Sequence, residues 1–178
     1  MASWFRNPLH QLVLAQALFI SAGMYFLEFN VSVIDVLVAF GVGYITELIF
    51  SNVTRRIEDP HAAYEWFTPM TAIAAALGIG IFFRATSPWF FALAAFLAIA
   101  SKYLIRYKGG HIFNPSNFAV VVSVLLIPTN TTLELTQWGS DGIVYGAIAL
   151  ICLYISYSAG KLATTLSFLV TYAVFLLG

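Results

Sequence analysis

Seven apolar runs of 15 to 19 residues follow one another through this chain, with only short polar connections between them. A helix crossing a bilayer core of about 30 Å uses about 20 mainly apolar residues. The runs fall at 9–27, 32–50, 67–83, 88–106, 114–128, 142–158 and 162–178. They predict an all-α, polytopic integral membrane protein, a single transmembrane domain over 1–178 with the lipid bilayer as its solvent. The third run carries Pro69 near its start and the fifth begins beside Pro115. Both are expected to be partial or broken helices, a form tolerated at membrane depth where it lines a cavity or packs on protein.

Composition closes off other classes. Of 178 residues, 61% are hydrophobic and 9% charged, against roughly 25% charged in soluble domains, so a water-soluble globule is excluded. Eight basic residues balance eight acidic ones, leaving no surplus charge to hold a nucleic acid. Cys152 stands alone, which rules out an internal disulfide, and no metal site is expected. The chain has no phosphate-binding glycine loop, no His-Glu-x-x-His and no nucleophile elbow. His10, His61 and His111 are widely separated, giving little support to haem held between two of them. No catalytic residue is assigned, and autonomous catalysis of the soluble-enzyme type is not expected.

Orientation follows from the cations, because Lys and Arg near helix ends stay on the cytoplasmic side. If all seven runs span, Arg6, Arg55, Arg56, Lys102, Arg106, Lys108 and Lys161 share one face and Arg84 alone occupies the other. The N-terminus, the 51–65 loop and the 102–111 stretch are thus expected in the cytoplasm, with Glu28, Glu134 and Asp141 outside. Trp4 and Phe5 beside Arg6 suit an interfacial anchor, with no secretory signal ahead of them. The apolar run ending at Gly178 has no polar exit, so other membrane subunits or further copies of the chain are expected around it.

Two acidic residues fall within the second run. Glu47 lies toward its cytoplasmic end, where an ionisable group costs a few kcal/mol unless paired or hydrated. It reads equally as a relay or acceptor for a buried ligand and as a carboxylate snorkelling toward Arg55. Asp35, near the outer end, reads as interfacial.

The densest polar cluster runs from Lys102 through Arg106, Lys108, Gly109, Gly110, His111, Phe113, Asn114, Pro115 and Ser116 to Asn117. Gly109-Gly110 lets the backbone turn, Asn114 is placed to cap a helix and Pro115 suits its first position. A helix N-terminus flanked by cations is an anion site; a phosphate, a flavin pyrimidine oxygen or a quinone carbonyl would suit it equally. The plain alternative is a well-capped basic turn. Thr68, Pro69 and Thr71 open the third run, and its small residues from Ala72 to Gly80 permit close helix packing.

Lys102, Gly109 and Phe113-Asn114-Pro115-Ser116 before an apolar helix resemble the signature of the Rnf-D/Nqr-B family, whose members belong to the Rnf electron-transport complex and to Na+-translocating NADH:quinone oxidoreductase. Thr46-Glu47-Leu48 and Ser87-Pro88-Trp89 follow in the order that family shows, so the resemblance covers about residues 9–128. It implies a membrane subunit of an ion-pumping redox complex in the bacterial cytoplasmic membrane. The implied fold is similar to urea transporters, built from two inverted five-helix repeats. This chain would supply one repeat over 9–128 and two further helices over 142–178. Glu47, Lys102, Gly109, Phe113, Asn114 and Pro115 carry over by position, and Arg106 and His111 join them from the cluster. The family attaches flavin to a Thr in Ser-Gly-Ala-Thr, whereas residues 158–165 here read Ser-Ala-Gly-Lys-Leu-Ala-Thr-Thr. Any flavin, FMN or riboflavin, is therefore expected to be non-covalent, with quinone the other candidate ligand. Two other classes stand beside this one: a small-solute channel or transporter half-unit, and a structural accessory subunit of a respiratory or photosynthetic complex.

Overall fold

A computed structural model describes residues 7–27, 29–61, 70–134 and 142–177. Trp4, Phe5, Arg6, Glu28, Thr68, Pro69 and Asp141 lie outside those residues. Among the described residues there are seven helices: α1 (Pro8–Phe26), α2 (Val33–Glu58), α3 (Met70–Phe82), α4 (Pro88–Leu104), α5 (Pro115–Leu126), α6 (Gly142–Ser158) and α7 (Leu162–Leu177). Each coincides with one apolar run of the sequence.

Local chemistry sets several helix starts. Asn7 caps α1, its side chain accepting from the Leu9 amide at 2.9 Å with Pro8 in the first turn. Ser32 and Asp35 form a capping box on α2, the Asp35 amide donating to Ser32 Oγ at 3.1 Å and the Ser32 amide donating to Asp35 Oδ2 at 2.9 Å. Asp35 thus has a structural role at the helix start. α2 runs eight residues beyond the apolar stretch to Glu58, which places Glu47 near the middle of the helix instead of at its end.

α3 and α5 are short, with 13 and 12 residues, about 20 and 18 Å of helix at 1.5 Å per residue. α3 continues directly into the strand β1 (Phe83–Ala85), α5 leads through a turn over 127–130 to β4 (Thr131–Leu133), and the two strands pair antiparallel with Arg84 opposite Thr132. A second pair, β2 (Arg106–Tyr107) and β3 (Gly110–His111), forms a hairpin. Its turn residues Lys108 and Gly109 both have positive φ, 48° and 84°, as a type I′ turn requires. The hydrophobic runs carried no sign of these strands, because each spans only two or three residues.

The core is made of small and branched residues where α2, α3, α4 and α5 meet, including Ala39, Ala76, Ile79, Ala94, Ala98, Ile99 and Ala119, with the ring of Phe83 on the edge of Phe91. α4 packs chiefly on α2 and α5, and α3 lies among α1, α2 and α5. α6 and α7 differ. α6 touches the core rim through Val144 and Ile148, α7 packs on α6, and no residue of α6, or of α7 through Leu176, is buried.

Candidate functional site

The first half of α1, one face of α3 along its length, the start of α5 and the last turns of α4 border one cavity of about 440 Å³. Its polar wall consists of Lys102, His111, Asn114, Ser116, Asn117, Thr71 and Gln16; Ala75, Gly78, Phe82 and Ile99 supply apolar surface. The β2–β3 hairpin is what brings His111 there, since the turn at Lys108–Gly109 folds the chain back from α4 toward α5. Asn114 then caps α5, its Oδ1 accepting from the Asn117 amide at 3.3 Å, with Pro115 in the first turn. Gly78 allows the close approach beneath: a Cβ there would lie 2.9 Å from Ser116 Oγ and 3.1 Å from Gln16 Nε2.

Behind the cavity wall stands a charged pair. Lys102 Nζ donates to Glu47 Oε1 at 2.6 Å, and the Tyr103 hydroxyl donates to the same oxygen at 2.8 Å. Tyr103 is held by stacking on Phe50 at 5.5 Å. Around Glu47, the buried hydroxyls of Thr46, Ser51 and Ser101 satisfy themselves on carbonyls of their own helices. Two buried acceptors at this site, Glu47 Oε2 and Gln16 Oε1, are reached by no donor among the described residues. Buried polar atoms without partners are uncommon in folded chains and call for an explanation.

Of the residues singled out in the sequence, Lys102, His111, Asn114 and Pro115 line the cavity, and Glu47 joins them through Lys102. The other three lie elsewhere. Arg106 donates to the Gly109 carbonyl and braces the hairpin, Gly109 sits exposed in the turn, and Phe113 is half exposed with its ring stacked on Phe118 at 5.5 Å. Arg106 therefore supports the turn and does not line the cavity. Gln16 and Tyr103 were not anticipated. An amide in the apolar stretch Leu-Val-Leu-Ala-Gln16-Ala-Leu-Phe-Ile was the available signal for the first, whereas nothing near Tyr103 separates it from an ordinary interfacial ring.

The cations divide between the ends of the bundle. Arg55, Arg56, Lys102, Arg106 and Lys108 lie at or near the ends of α2 and α4 and in the hairpin, toward the cavity end, while Arg84 sits in β1 at the far end of α3. Among the described residues no group of three or more His, Cys, Asp or Glu side chains is placed to hold a metal. No family model, curated protein or solved structure matches this chain. The site is therefore read from its own geometry.

Proposed function

We propose that this chain is a polytopic membrane subunit of an electron-transfer complex, of the Rnf-D/Nqr-B kind, that binds a flavin or a quinone non-covalently in the cavity at the basic end of its bundle. The observation that carries this reading is the cavity itself. Its volume falls within the roughly 300–1,000 Å³ of small-molecule sites, and its wall sets an ammonium, an imidazole and a capped helix N-terminus opposite apolar surface. A flat ring with carbonyl oxygens matches that division: Ile99, Phe82 and Ala75 would face the ring, and Lys102, His111 and the first amides of α5 would face its oxygens. Gln16 Oε1, an acceptor without a partner among the described residues, suits a ligand N–H or O–H. When bound, such a ligand would supply the redox chemistry, and the protein would orient it and set its electrostatics.

Membrane placement is supported by the helices and their surfaces. α1 and α2 are long and apolar enough to cross a bilayer. Leu18, Phe26, Leu125, Leu126, Leu150, Phe168 and Phe175 all project outward, a distribution unsuited to water. The cation segregation favours the cavity end as cytoplasmic. Assembly with other membrane subunits or with further copies would cover α6 and α7.

The test is a spectrum and one variant. Protein purified in mild detergent should carry flavin absorption or an extractable quinone, and Asn114→Ser should keep the cap while removing the amide group. A buried ligand polar group left unmatched costs about 1–3 kcal/mol, a loss of affinity of roughly 5- to 150-fold. Wild-type protein without chromophore or quinone, and without affinity for either, would sink the proposal. One observation favours a second reading: two short helices, α3 and α5, each lead to paired extended segments, the broken-helix form of solute pathways. Solute flux in liposomes without bound cofactor would select that channel or transporter half-unit.

A further inference from the structure

Lys102 serves two places at once. Its side chain lines the cavity, and its ammonium lies 2.6 Å from Glu47 Oε1. Tyr103 shares that oxygen, so Oε1 takes both bonds while Oε2 is buried with no donor among the described residues. The Glu47 side chain is only 8% exposed. A carboxylate so deep keeps its charge only with a close counter-charge; deprived of one, it neutralises by taking a proton.

We propose that charge in the cavity and protonation of Glu47 are linked through Lys102, so that an anion seated against the ammonium draws it away and Glu47 takes up one proton. The inference rests on the cavity reading above and extends it to proton coupling. Lys102 remains an ammonium throughout. The proton comes from solvent, the Glu47 carboxylate becomes a carboxylic acid, and Oε2 is the oxygen without a competing bond. Other groups near Glu47 are few. From α4 come Lys102 and Tyr103, with Arg106 just beyond; α3 brings no titratable side chain over 70–82; α2 itself carries Arg55 two turns on. His111 on the cavity wall is the competing proton acceptor.

Glu47 is thus a positioning residue for Lys102 whose protonation state reports the cavity's occupant. The experiment uses the full chain in detergent and two probes of similar ring and different charge: a hydroxynaphthoquinone, anionic at neutral pH, and neutral menadione. Calorimetric titration in phosphate and in Tris counts protons exchanged on binding. Wild type should take up about one proton per bound anion and none with menadione. Glu47→Gln should abolish the uptake, which assigns the proton to Glu47 and not to His111. Infrared difference spectra of wild type supply a measurement that needs no variant: the anion should raise a protonated-carboxyl band. Anion binding without uptake, equal uptake with menadione, uptake that survives in Glu47→Gln, or no carboxyl band would overturn the linkage and leave the cavity reading standing. Failure of both probes to bind would overturn the linkage, and with purified protein free of flavin it would overturn the cavity reading too.

Discussion

Two cations sit at opposite ends of the same bundle, Arg84 buried and Lys102 partly exposed, and their surroundings differ. Arg84, in β1, donates from Nη1 to the carbonyls of Gly80 and Phe83 and lies 5.6 Å from the ring centre of Phe29. Its direct contacts include main-chain and aromatic groups close at hand, the carboxylates of Glu134 and Asp35 add electrostatic attraction, and its neighbourhood is the strand pair that follows α3 and α5. Lys102 instead reaches a carboxylate 55 residues away in sequence and borders an open cavity. Arg84 closes one end of the fold; Lys102 keeps a charge at the other, on the cavity wall. Surroundings tell the two cations apart: main-chain carbonyls and a ring enclose Arg84, whereas Lys102 pairs with Glu47 beside a cavity.

The sharpest way to break this contrast is to remove the Lys102 ammonium. Lys102→Met removes the counter-charge of Glu47, which must then stay charged at a cost or take up a proton; a loss of up to about 3–5 kcal/mol is expected, and adding Glu47→Gln should recover most of it. Thermal unfolding of the single and double variants in detergent checks the pair; equal stability of single variant and wild type would mean that Glu47 does not depend on Lys102. At the other end, Arg84→Lys keeps the charge but loses the planar guanidinium that sets Nη1 on two carbonyls and lies against the Phe29 ring. A loss of about 1–3 kcal/mol is expected, with affinity for cavity probes unchanged. Weaker probe binding in Arg84→Lys would erase the distinction between the ends. The smallest effect belongs to the hairpin that delivers His111. Gly109 has φ 84° and open space around the missing Cβ, so Gly109→Ala should cost only the backbone strain of about 1–2 kcal/mol. Its readout is a shifted His111 imidazole signal in NMR with little change in the unfolding midpoint.

Much of the architecture was written locally. Each apolar run became one helix because hydropathy over a dozen or more residues is a property of adjacent positions. The start of α5 was equally legible: Asn114 and Pro115 act within one turn of their own helix. The length of α2 was not, because its last turns are polar and helical at once, which a hydropathy boundary does not register.

The candidate site divides in the same way. Lys102, His111, Asn114 and Pro115 could be grouped from the sequence because they lie within 14 residues of one another, whereas Gln16, Thr71 and Gly78 reach the same cavity from helices far along the chain. Sequence by itself determined the seven apolar helices, the caps and the concentration of basic residues, all consequences of side-chain polarity and spacing along a single strand of chain. Tertiary structure alone decided that Glu47 meets Lys102, that Arg106 turns to the Gly109 carbonyl instead of the cavity, and that α1, α3, α4 and α5 leave a space between them. Those outcomes depend on which helices pack together and at what separation, and small core residues such as Ala39, Ala94, Ala98 and Ala119 permit close packing without naming the partner helix.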